Sequence, residues 1–113
     1  MKIKILGNTW EVREVTAKEI GDIMATDKRY TVGACDYHTK TIYILKDLKE
    51  EIKKETLIHE ISHAILYTTS LNEHLTPEQQ EQYCEFLRVA YPVVQDVLHQ
   101  IVKKRGTTNE HAN

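Results

Sequence analysis

The residues best suited to chemistry stand together at His59-Glu60-Ile61-Ser62-His63. Two histidines four apart project from one face of a helix, about one turn from each other. Held that way, two imidazoles can share one Zn²⁺ at about 2.0–2.1 Å each. Glu60 follows the first histidine by one residue, an offset that puts its carboxylate beside such a metal rather than on it. There it can take a proton from a water that the metal has acidified. The spacing thus supplies two ligands and a general base, the parts of hydrolytic zinc chemistry.

A catalytic zinc also needs a third protein ligand and an open fourth position. Glu81, on the next helix, is the leading candidate, and Glu85 lies four residues on, along the same face. One would bind the metal while the other accepts a hydrogen bond from a ligand histidine and so fixes its tautomer. Spacing alone leaves the two roles interchangeable. Without the histidines, Glu78 to Glu85 would read as the acidic start of a helix, where carboxylates suit the dipole. Cys84 reads as a small buried residue. As a thiolate ligand it would instead close a structural four-ligand site. Tyr37, His38, Tyr43 and His74 could each donate to a developing oxyanion, and no spacing favours one of them.

Several elements must position these groups. Ile3 and Ile5, then Gly7-Asn8, then Trp10, Val12 and Val15 form an alternating pattern interrupted by a turn, which predicts a hairpin. Thr16 with Glu19 makes a capping box for a short helix to Ala25 carrying Ile20, Ile23 and Met24. Tyr30, Val32 and Tyr37, a turn at His38-Thr39-Lys40, and the β-prone run Thr41 to Leu45 predict a second hairpin. Asp47 with Glu50 signals the start of a helix that no Gly or Pro interrupts as far as Thr69. Leu57, Ile61, Ala64, Ile65 and Thr68 form its apolar stripe. Thr76-Pro77-Glu78-Gln79 starts a last helix. Its stripe of Tyr83, Leu87, Ala90, Tyr91, Val94, Val97, Leu98 and Ile101 is expected to be buried. Pro92 should kink this helix and Gly106 should end it.

The chain has 113 residues, 41% hydrophobic and 28% charged, which suits one modest domain. A formal net charge of -2 offers no electrostatic footprint for nucleic acid. Lys103-Lys104-Arg105 reads as a solvated helix end favoured by the dipole. No stretch approaches the roughly 20 apolar residues that span a bilayer, and the first residues do not read as a signal peptide. Cys35 and Cys84, far apart in sequence, are expected as free thiols. A cytoplasmic protein that binds neither membrane nor nucleic acid is expected.

The segment Leu57-Ile58-His59-Glu60-Ile61-Ser62-His63-Ala64-Ile65-Leu66 resembles the active-site helix of gluzincin-type metallopeptidases. Their third ligand comes from a later helix in a Glu-x-x-Ala-Asp or similar motif. Glu81-Gln82-Tyr83-Cys84-Glu85 resembles it, with Cys84 at the small position and Glu85 at the acidic one. Across Thr41 to Leu87 the chain is most similar to the small ImmA/IrrE-like and phage- or mobile-element-encoded metallopeptidases. The resemblance implies Glu81 as third ligand, Glu85 as the orienter of a histidine, and a regulatory protein as substrate. It also implies that Thr41 to Leu45 is an edge strand that pairs with an extended substrate.

Together these expectations describe a single α+β domain over residues 1–106, with a flexible tail over 107–113. It would be a minimal zincin-like fold, with a small, mainly antiparallel sheet packed on the motif helix and a long C-terminal helix. The expected function is zinc-dependent peptide-bond hydrolysis of a protein or peptide. The alternative is a metal-binding scaffold that acts by holding a regulatory partner without cleaving it.

Overall fold

Alternation near the start of the chain becomes two strands, β1 (Lys2–Ile5) and β2 (Asn8–Val15), paired antiparallel with Ile3 opposite Trp10. The turn between them needs positive φ at Leu6 and Gly7, and glycine tolerates this without strain. The computed structural model describes residues 1–23 and 32–112, with side chains described as far as Arg105. Met24, Ala25 and Tyr30, expected in the first helix and the second hairpin, lie outside the described residues.

Helix α1 (Ala17–Ile23) starts at the expected capping box. The Glu19 N–H donates to Thr16 Oγ1, and the Thr16 hydroxyl donates to Glu19 Oε1. Strands β3 (Gly33–Asp36) and β4 (Thr41–Leu45) form the second hairpin. The sheet order is β1-β2-β4-β3, and β2 and β4 run parallel at its centre. Two antiparallel pairings therefore flank one parallel pairing, and α1 and β3 supply the crossover that parallel strands require. This order corrects one expectation. β4 lies inside the sheet, and β3 is the edge strand beside the motif helix.

Helix α2 (Glu50–Thr68) lies across one face of the sheet. Trp10 and Ile42 from the strands meet Ala64 there, with Leu57 and Ile61 packed around them. On the other face Ile20 of α1 packs with Val15 and Leu45. Leu48 and Tyr43 border that second cluster. The anchoring of Leu48 explains a further correction: Asp47 sits in the turn after β4, and the N-cap of α2 is Lys49, with extended φ -61 and ψ 148. Ile65 is also exposed rather than part of the buried stripe. The side chains that α2 does bury are mostly polar: Thr56, Glu60, Ser62 and His63 beside Ala64.

After α2, Ser70 takes positive φ and a 3-10 turn spans Leu71–His74. Helix α3 (Pro77–Ala112) then begins at a reciprocal capping box. The Gln79 N–H donates to Thr76 Oγ1 at 3.1 Å, and the Thr76 N–H donates to Gln79 Oε1 at 2.9 Å. The Gln80 amide donates to the carbonyls of Asn72 and Leu75, tying the turn to the helix. α3 continues through Pro92 and past Gly106. One glycine costs a helix only about 1 kcal/mol relative to alanine, so Gly106 is not the expected stop. The largest correction concerns its apolar stripe. Tyr83, Leu87, Tyr91, Val94, Val97, Leu98 and Ile101 are exposed, because α3 turns a different face to α2.

Candidate metal centre

Helical periodicity carries His59 and His63 to the side of α2 that faces α3, with ring centroids 5.1 Å apart. Glu81 and Glu85, in the first turns of α3, reach across to them. The two oxygens of Glu81 divide between the two rings. Oε2 lies 3.2 Å from His59 Nε2, and Oε1 lies 2.7 Å from His63 Nε2. Glu85 Oε1 lies 3.0 Å from His59 Nδ1. Arg88, one turn further along α3, donates to Glu85 Oε2 and to Glu55 of α2. It thereby holds Glu85 in place and joins the two helices.

Glu60 lies beside the two histidines and is buried in the body of the protein. It is 5% exposed, and its Oε2 has no hydrogen-bond partner. The close approach of β3 encloses it: a Cβ on Gly33 would stand 2.6 Å from Thr56 Cγ2 and 3.2 Å from Glu60 Cγ. Burial, and then the negative charge of Glu81, push the Glu60 carboxyl up to about 8. Burial is also the largest influence on His63 and lowers its pKa, against the pull of Glu81. A neutral imidazole is the form that binds metals. Cys84 is wholly buried and its thiol is pushed up to about 12, first by burial and then by Glu81. Burial raises the Cys35 thiol as well. Both cysteines are free.

Among the described residues, His59, Glu60 and His63 each bring one ligand-type atom within 4.8 Å of the others. Adding Glu81 gives two imidazole nitrogens and a carboxylate, a donor set suited to a catalytic zinc. The 2.7 and 3.2 Å separations are near the roughly 3.3 Å between ligand atoms around a tetrahedral ion with arms of about 2.0–2.1 Å. The orphaned Glu60 oxygen is the kind of buried atom that a nearby cation or its water would satisfy.

All five residues singled out in the sequence, His59, Glu60, His63, Glu81 and Glu85, thus come together. Of the four possible oxyanion donors, Tyr37 reaches the cluster, with its hydroxyl 3.2 Å from His63 Nδ1. Its ring stacks on Tyr67 of α2, centroids 4.7 Å apart and planes 8° from parallel. His38 is exposed in the β3–β4 turn, Tyr43 packs near α1, and His74 is exposed in the 3-10 turn. The contact to His63 and the Arg88 bridge were missed in the sequence. For Arg88 there was a signal, its position three residues after Glu85. No protein-family model matches the sequence, and no curated protein is significantly similar to it.

Proposed function

We propose that this chain is a zinc-dependent peptidase of the gluzincin kind. One observation carries the proposal: a single carboxylate, Glu81, meets the Nε2 atoms of both motif histidines, beside a buried Glu60 with an unpartnered oxygen. In this reading His59, His63 and Glu81 hold the metal. Glu85 holds His59 by Nδ1, steadied by Arg88. When bound, zinc would supply Lewis-acid polarisation and acidify water.

Glu60 then acts as general base. It accepts a proton from the water that attacks the scissile carbonyl, and hands it to the amine nitrogen as the C–N bond breaks. With a cation nearby, its carboxyl would fall from the value to which burial and then Glu81 raise it. The edge of β3 away from β4 has no strand paired to it among the described residues. An extended peptide or regulatory protein could add there as a further strand next to Glu60.

The test is metal content by elemental analysis with peptide hydrolysis measured on the same preparations. About one zinc per chain is expected, lost in Glu81→Ala and retained, bound more weakly, in Glu85→Ala. Glu60→Gln should keep the metal and lose hydrolysis by a factor of at least about 100. A second reading, a scaffold that holds a partner without cleaving it, is favoured by the broad exposed apolar face of α3. It requires that Glu60→Gln leave the biological effect intact. Zinc absent from every reconstituted preparation would sink both readings.

A further inference from the structure

We infer that Glu55 and Tyr67 are positioning residues of the metal centre: Glu55 acts on His59 through Arg88 and Glu85, and Tyr67 acts on His63 through Tyr37. The inference rests on the zinc reading above. Glu55, His59, His63 and Tyr67 stand four residues apart in one row along α2. At 100° and 1.5 Å per residue, the row winds about 120° round the helix over about 18 Å. Its two ends therefore face different neighbours. Glu55 faces α3, where Arg88 Nη1 donates to its Oε2 at 3.0 Å. Tyr67 faces the sheet, with its ring against Tyr37 and Trp10. The two histidines lie between these ends.

A hydrogen bond to the outer nitrogen of a ligand histidine fixes the ring only as well as the partner is itself fixed. Glu85 is the partner of His59, and its side chain is 53% exposed. A glutamate so exposed has several rotamers open to it. Arg88 removes that freedom. Its Nε donates to Glu85 Oε2 at 3.1 Å while Nη1 reaches Glu55. A planar guanidinium holds two carboxylates in set directions, which an ammonium does not. The path from His59 through Glu85 and Arg88 thus closes on α2 at Glu55, one turn from where it started. Glu55 is the fixed end: without it the guanidinium would follow Glu85 from rotamer to rotamer.

Tyr37 is the partner of His63, and it directly follows the last residue of β3. Its oxygen lies on the ring axis, so a ring flip leaves it in place, while a swing about χ1 carries it away. Tyr67 blocks that swing, with the two rings 4.7 Å apart and 8° from parallel. Tyr67 is held in turn by Trp10, at 6.4 Å with the ring planes 83° apart, and Trp10 is wholly buried. This second path also closes on α2, one turn beyond the histidine. The other uncharged polar side chains buried on α2 take no part, because they hold to their own helix. Thr56 donates to the Ile52 carbonyl and Ser62 to the Ile58 carbonyl.

Competition for zinc between the full chain and a chromophoric chelator tests the inference. Tyr67→Leu should weaken binding about 10-fold, the low end of the loss expected for a partner that touches the ligand. Tyr67→Phe keeps the ring and should restore wild-type affinity. Glu55→Ala should weaken binding about 3-fold, a smaller loss because the bridge to Arg88 is partly exposed and screened. The decisive readout is non-additivity. In a Tyr37→Phe background Tyr67→Leu should cost nothing further, and in a Glu85→Ala background neither should Glu55→Ala. A merely structural role gives the same loss in both backgrounds, and that result overturns the inference. Glu55 is half-exposed, so its pair of variants decides the matter even if Tyr67→Leu does not fold. A wild type that takes up no zinc removes the reading of the site itself and this inference with it. Zinc held equally by the wild type, Tyr67→Leu and Glu55→Ala removes this inference alone.

Discussion

The Tyr37 hydroxyl and the Glu81 carboxylate hold opposite nitrogens of one ring, His63, at 3.2 Å from Nδ1 and 2.7 Å from Nε2. A neutral imidazole has one N–H and one lone pair, so its two partners must play opposite parts. Without a metal, Nε2–H donates to Glu81 and Nδ1 accepts from the tyrosine. If Nε2 turns its lone pair to a metal, the proton moves to Nδ1 and the tyrosine oxygen accepts it. A hydroxyl can take either part, while a carboxylate or a backbone carbonyl could only accept. Burial keeps Tyr37 in its phenol form by raising its pKa.

Tyr37→Phe should therefore weaken zinc binding by about 10- to 100-fold, the usual cost of losing a partner that orients a ligand histidine. The aromatic stack on Tyr67 survives the change, so cooperative folding should be kept. Competition against a chromophoric chelator reads the affinity, and an unchanged affinity would remove Tyr37 from the site.

The contribution of Glu60 to the stability of the metal-free protein should fall as pH rises. The folded Glu60 carboxyl titrates at about 8 and its ordinary value is 4.5, so across that window the folded state keeps a proton that the unfolded chain releases. The contribution is fully present below pH 4.5 and declines by up to about 1.4 kcal/mol per pH unit. It is lost once the pH passes about 8. Urea unfolding of chelator-treated protein should show this slope for the wild type and a shallower one for Glu60→Gln. Parallel profiles would contradict the assignment.

Gly33→Ala should destabilise the fold by about 1–3 kcal/mol, the range for overpacking a filled site. The added methyl would stand 2.6 Å from Thr56 Cγ2. That threonine is stiff at χ1, and its hydroxyl is tied to the Ile52 carbonyl. Thr56→Ser removes the obstructing methyl and keeps the hydroxyl, so the double variant should recover much of the loss. Chemical denaturation of the four combinations gives the coupling directly.

Thr76→Ala should cost about 1 kcal/mol through the lost helix cap. Because Glu81 lies in the second turn after that cap, zinc affinity should fall as well. Calorimetric titration of the variant at a temperature where it remains folded separates the two effects.

The motif itself was legible because five consecutive residues on one helix have their mutual positions set by helical geometry alone. The capping boxes at Thr16 and Thr76 were equally local, and each formed with the expected partners. Glu81 and Glu85 could be singled out by their shared face, but dividing them between Nε2 and Nδ1 of His59 needed the placement of α3. The contact of Tyr37 with His63 spans 26 residues and depends on where a strand end meets a helix. Strand order is non-local too, so a run as β-prone as Thr41 to Leu45 gives no sign of lying inside the sheet. The stripe on α3 shows the same limit from another side. Periodicity identifies which residues share a face, and it is silent on what that face meets.

An ion held at this cluster would also brace the helix pair. Cys84 is the one α3 side chain wholly buried among the described residues, and Glu81, Glu85 and Arg88 reach α2 through polar contacts. His63 and Glu81 are 18 residues apart, so an ion joining them would fasten the two rods near one end and close the intervening segment into a ring. The rest of α3 would then be a lever pivoting on that fastener. A chelator would not only silence the chemistry; it would release the lever.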